Sequence, residues 1–240
     1  MIKDIEKYLE VQNIALSVLN DIKHHIVYGV TEKEIALTCE NLFKKYGVTE
    51  SWYHGVMALV LVGRRTTLSL SGRDYLATDT VVQENDLITI DVSPVLNGFW
   101  GDCARSYVVE SGGVVKEISD EELKDGIEAE KKLHIKMQDL VCPAITMHEL
   151  YLIMNKEIND LGYKNLDFNN NLGHSIEKDI NSRSYIEKNN NIKLEEVTIF
   201  TFEPHIAKER GHWGFKRENI YYFENGNIKV MGQQDLLTIF

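Results

Sequence analysis

Cysteine is scarce in this chain, and the three present, Cys39, Cys103 and Cys142, are odd in number and widely spaced. With no Cys-x-x-Cys among them they read as reduced thiols of a cytoplasmic protein. No apolar run approaches the roughly 18 residues of a membrane span. Met1-Ile-Lys-Asp-Ile-Glu-Lys enters an amphipathic pattern directly, without the charged and apolar regions of a signal peptide. Positive charge is the minority: 26 Lys and Arg against 37 Asp and Glu leave a formal net charge of −11. That balance argues against nucleic acid or an anionic membrane as partner, and bound cations would offset part of it. Proline is rare, with three in 240 residues of ordinary apolar content. The expectation is one globular unit over 1–240 with ample length for a core.

Four stretches read as helices. Ile5, Tyr8, Leu9, Ala15, Leu16, Leu19, Ile22 and Ile26 recur at helical spacing, with a gap near Gln12, and predict a helix ending near Gly29. Thr31-Glu-Lys-Glu34 is a capping box for a helix packing through Ala36, Cys39, Leu42 or Phe43, and Tyr46, and stopping before Gly47. Ser119-Asp-Glu-Glu122 and Thr146-Met-His-Glu149 read as two more capping boxes. The first opens a helix that Pro143 ends; the second opens a helix reaching about Asp160. Val56–Val62 and Val197–Phe202 read as strands, and Asn225-Gly226 as a hairpin turn between Asn219–Glu224 and Asn227–Met231. The tally is α+β with a mostly antiparallel sheet. The order helix-helix-strand-hairpin occurs twice, which suggests two similar halves.

The chemistry centres on another Asn-Gly turn, Asn97-Gly98, between two apolar β-branched runs. Both residues tolerate positive φ, the requirement of a type I′ hairpin. Leu96 then pairs with Phe99, Asp91 lies opposite Ala104 and Asp102 opposite Ser93. Asp91 and Asp102 become diagonal neighbours roughly 7 Å apart at the backbone. Adjacent carboxylates repel unless a proton or cation lies between them. Ile88, Ile90 and Val92 point to the opposite, apolar face and fix the register. Farther along, His174 follows Gly173, Glu203 ends the strand Val197–Phe202, and Glu218 precedes the strand beginning at Asn219. A carboxylate at the end of a buried strand is costly unless paired or ligated.

The ordered set Asp91, Asp102, His174, Glu203 and Glu218 resembles the five metal ligands of the pita-bread metallopeptidases. The contexts agree: Asn85-Asp-Leu-Ile-Thr-Ile-Asp91, Gly101-Asp102-Cys-Ala-Arg105-Ser-Tyr, Thr201-Phe-Glu203-Pro204, Gly214-Phe-Lys-Arg-Glu218-Asn, and Gly29-Val-Thr31-Glu-Lys-Glu34. They are more similar to the Xaa-Pro aminopeptidase, prolidase and creatinase branch than to methionine aminopeptidase. The resemblance implies a pita-bread fold, a curved, mostly antiparallel sheet covered by helices; with the first helix beginning almost at Met1, the additional N-terminal domain usual in that branch is not expected. It implies two divalent ions, with Asp102 and Glu218 bridging both, Asp91 on one, and His174 with Glu203 on the other. Four carboxylates carry four negative charges, which two divalent cations neutralise. Oxygen-rich ligands with one imidazole suit Mn, Fe or Co, with Zn also open. The implied activity is hydrolysis of a short peptide or other small molecule, as by an aminopeptidase or prolidase. Water bridging the ions is the nucleophile and Glu203 the catalytic proton shuttle. Homodimers are common among such relatives, so a dimer is one expected assembly.

Two positions depart from the family. Ahead of Asp91, where the family has a substrate-facing histidine, stand Ser71, Gly72 and Arg73. After His174, where it has a second histidine, stands Asn181. Ser71, Arg73, Asn181, His205 and His212 are therefore the candidates for substrate contact, and Arg64 and Arg65 are further cations for a substrate carboxylate. With those histidines absent, two other readings stay open: a non-peptidase metalloenzyme, such as a di-iron oxygen-activating or C–N bond enzyme, and a non-catalytic binding protein.

Overall fold

The computed structural model describes residues 4–232. Its four main helices are α1 (Ile5–Ile22), α2 (Glu32–Lys45), α3 (Glu121–Leu140) and α4 (Met147–Asp160). Every strand pair is antiparallel. The largest sheet joins Ala58–Val62, Asp86–Val92, Cys103–Glu110 and Gly113–Val114. A second joins Ile199–Phe202, Asn219–Glu224 and Asn227–Val230. A β-bridge between Ala104 and Glu218 stitches the two together. Helices α1 and α2 pack on the first sheet through Val18, Ile22, Ile35 and Phe43 against Val60, Ile88, Ile90 and Val92. Helices α3 and α4 pack on the second through Leu133, Met137, Leu150 and Met154 against Phe200, Phe202 and Tyr221. Burying each such side chain contributes about 1.5–3 kcal/mol, so the two apolar layers hold the sheets face-on to their helices.

The capping boxes at Thr31–Glu34 and Thr146–Glu149 form, each threonine hydroxyl accepting from the glutamate N–H while the carboxylate accepts from the threonine N–H. The α3 cap sits one residue later than expected. Asp120 accepts from the Leu123 N–H, and the Ser119 N–H is taken by the Glu110 carboxylate. Helix α1 stops at Ile22 rather than near Gly29. Beyond it the backbone is captured by other partners: Val27 bridges Gly113, and the Gly29 N–H donates to Val82 O. Tyr46, expected on the packed face of α2, is exposed, and Ile35 joins Cys39, Leu42 and Phe43 there instead.

The Asn97-Gly98 turn has positive φ at both residues, 52° and 77°. Leu96 pairs with Phe99, Val95 with Trp100 and Asp91 with Ala104. The ladder is nevertheless interrupted. Pro94–Leu96 and Phe99–Trp100 belong to a separate small sheet with Glu50–Ser51. Asp102 consequently has no strand partner at Ser93, and its backbone groups turn to α1.

Candidate metal centre

Five side chains converge where the two sheets meet. Asp91 is the penultimate residue of its strand, and Asp102 immediately precedes Cys103–Glu110. Glu203 follows Ile199–Phe202, and Glu218 precedes Asn219–Glu224. His174 comes from a loop laid against the second sheet. Its N–H donates to Thr201 Oγ1 (3.1 Å) and its carbonyl accepts from the Thr201 N–H (2.7 Å). Gly173 makes that approach feasible: φ is +146°, and a Cβ there would lie 2.2 Å from Thr201 O.

Two three-residue groups have ligand atoms within 4.8 Å of one another, Asp102–His174–Glu218 and Asp91–Glu203–Glu218. His174 Nδ1 lies 2.9 Å from Ser175 O, and a carbonyl can only accept, so the proton sits on Nδ1. Nε2 therefore carries a lone pair, 3.4 Å from Asp102 Oδ2 and 3.6 Å from Glu203 Oε1. Burial holds the imidazole neutral, with a pKa lowered to about 4. Among the described residues, Asp102 Oδ2 and both carboxylate oxygens of Glu218 are buried without a hydrogen-bond partner. Such oxygens are strongly disfavoured unless a cation or a proton meets them. Burial, then the neighbouring carboxylates, push Asp102 and Glu218 well above the ordinary carboxylate range. Burial also acts upward on Glu203, but neighbouring positive charge, Lys216 foremost, outweighs it and holds its carboxyl below the ordinary value. A buried, oxygen-rich set with one imidazole lone pair fits a divalent cation.

Other residues hold these five side chains in place. Gln12 of α1, the polar gap in the apolar stripe, is fully buried and bonds both backbone groups of Asp102. Arg105 Nη1 donates to Glu218 O at 2.7 Å. The Trp52 ring meets the His174 ring edge-on at 5.4 Å and stacks on Trp100 at 4.8 Å.

A cavity of about 300 Å³ opens over the five residues. Ser71, Arg73 and His205 line it; Asn181 and His212 are not among its lining residues. Asn181 is exposed and bonded to Asp179. His212 is exposed beside Glu122, its Nδ1 3.9 Å from that carboxylate. Of the other cations considered, Arg64 is exposed and Arg65 is tied to Glu32 at 2.9 Å. Arg183, unremarked in the sequence, enters the cavity with its guanidinium 5.0 Å from the Trp52 ring and 5.2 Å from Tyr185. Lys216 was also unremarked, although it stands only two residues before Glu218. His205 is buried and neutral, its pKa lowered to about 4 by burial and then Lys216, with Nε2 2.7 Å from Thr66 O.

Comparison with known proteins places this arrangement. The pattern of metallopeptidase family M24 matches residues 6–225. The Xaa-Pro dipeptidase of Pyrococcus horikoshii is 28% identical over 205 residues, which cover 85% of this chain and 53% of that protein. The chain spans about half the length of the Pyrococcus dipeptidases it matches. The X-Pro aminopeptidase structure from Thermotoga maritima superposes with a TM-score of 0.81 at 22% identity, covering 98% of this chain and 63% of that one. The methionine aminopeptidase structure from the same organism gives 0.77 at 18% identity, covering 98% and 100%. The fold is accordingly the pita-bread form of α+β. Family match, ordered residues and fold agree: the chain belongs to metallopeptidase family M24.

Proposed function

We propose that this chain is a metal-dependent hydrolase of short peptides, aminopeptidase- or prolidase-like, with Asp91, Asp102, His174, Glu203 and Glu218 around its metal. One observation carries the reading: three buried, partnerless carboxylate oxygens beside an imidazole whose tautomer leaves Nε2 free to ligate. A divalent ion such as Mn, Fe or Co supplies Lewis acidity toward a carbonyl and lowers the pKa of a water nucleophile.

The chain's own groups supply the rest. Glu203 is held ionised and its side chain is 17% exposed, so it is the carboxylate that can accept a proton at the cavity edge. Arg183 and Arg73 offer charge for a free carboxylate, and guanidinium donors match that group in geometry. Trp52, Tyr53 and Tyr185 form an apolar wall, and a cavity of this size admits a few residues rather than a folded chain.

The test is metal content after purification without chelator, followed by incubation of the manganese and ferrous forms with Xaa-Pro and Met-Xaa dipeptides. Cleavage by a metal-loaded form, lost in Asp102→Ala together with the metal, is the expected result. Full metal loading without cleavage of any dipeptide would overturn the peptidase assignment.

A further inference from the structure

The two halves of the metal cage are not equivalent. Its fully buried carboxylate oxygens without a hydrogen-bond partner, Asp102 Oδ2 and both oxygens of Glu218, lie beside His174. On the other side one oxygen of Asp91 and one of Glu203 are engaged by a lysine. Lys216 Nζ lies 2.5 Å from Asp91 Oδ2 and 3.0 Å from Glu203 Oε2, with its side chain only 19% exposed. Its place follows from the backbone. Lys216 pairs with His205 across the short sheet, two residues after Glu203 and two before Glu218 in their respective segments.

We propose that the Lys216 ammonium stands as the second cation of the cage, so that the chain holds one divalent ion tightly at Asp102, His174 and Glu218 and resists a second at Asp91. This rests on the metal-centre reading above. The ammonium removes one of the four negative charges and one divalent ion removes two more, leaving a single negative charge. A second divalent ion must then displace Lys216 from Asp91 and Glu203 or sit against a like charge in a buried site, where repulsion is poorly screened. An arginine would satisfy the same carboxylates with a larger planar group, whereas a methionine of similar length carries no charge.

The experiment is equilibrium dialysis of the metal-free chain against Mn²⁺, read by metal analysis and by the electron paramagnetic resonance of bound Mn²⁺, on wild type, Lys216→Met and Lys216→Arg. Expected are one ion per chain with an uncoupled spectrum for wild type and Lys216→Arg. Lys216→Met should take two, with the second at least tenfold tighter than any second ion in wild type. Two ions of similar affinity in wild type, with a spin-coupled spectrum, would overturn the proposal and leave the metal centre standing. A single ion in both wild type and Lys216→Met would overturn it equally. No binding by any of the three would overturn the metal-centre reading itself. Circular dichroism checks that Lys216→Met is folded; if it is not, the wild-type stoichiometry and spectrum decide alone.

Discussion

Gln12 grips Asp102 by both backbone groups: its Nε2 donates to Asp102 O and its Oε1 accepts from the Asp102 N–H, each at 2.9 Å. The amide bridges α1 to the point where the Asn97-Gly98 hairpin leaves its ladder. Gln12→Leu leaves a buried N–H and C=O unpaired, at a cost of about 1–3 kcal/mol for each such group. The variant is expected to melt several degrees lower and to bind Mn²⁺ more weakly, because the Asp102 carboxylate loses its fixed direction. Thermal unfolding and equilibrium dialysis measure both effects. An unchanged melting temperature would mean that water replaces the amide without penalty.

Much of this was legible because it is local. Thr31–Glu34 and Thr146–Glu149 cap their helices as expected, and the Asn97-Gly98 turn sets the register that opposes Asp91 to Ala104. What was not legible depends on chain segments far apart in sequence. Gln12 looked like a defect in an apolar stripe, since its partner lies ninety residues away. Arg183 sits in a loop without periodicity, and only the fold brings it over Trp52 and Tyr185. Asn181 was placed by analogy of spacing and His212 by its nearness in sequence to Glu218, and their loops carry both to the exposed surface. Lys216 was within reach, being only two residues before Glu218, but its salt bridge to Asp91 spans 125 residues.

Metal binding is expected to release protons. Burial and mutual repulsion keep Asp102 and Glu218 protonated above the ordinary carboxylate range, and a cation must displace those protons. Mn²⁺ affinity should therefore rise as pH increases. Calorimetric titration in two buffers of different ionisation enthalpy gives the proton count directly. A binding enthalpy independent of buffer would show that both carboxylates are already ionised.

The same shifts predict how the metal-free chain responds to pH. A raised folded pKa means the unfolded chain loses its proton first, so the folded state binds more protons between the two values. Stability is then full below about pH 4, the ordinary carboxylate value, and falls as pH rises toward the folded values. Glu218→Gln removes one of these groups. The melting temperature of metal-free wild type should drop relative to Glu218→Gln between pH 4 and 7, and saturating Mn²⁺ should abolish the drop in wild type. A wild-type advantage that grows with pH in the metal-free state would reverse the assigned sign.

Gly173 supports the least tolerant backbone approach at the site. A Cβ there would lie 2.2 Å from Thr201 O, and φ of +146° is unfavourable for any other residue. Gly173→Ala must push the loop off the strand that carries Thr201 and Glu203, with an expected cost of about 3 kcal/mol or more. His174 would move with it, so metal affinity should fall along with stability, as read by denaturant unfolding and Mn²⁺ dialysis. Gly162 is a built-in control: its φ is +82° but nothing lies within 4 Å of a Cβ. Gly162→Ala should cost only the conformational strain, about 1 kcal/mol, and leave metal binding intact. Equal losses in the two variants would assign the Gly173 effect to φ alone rather than to its contact with Thr201.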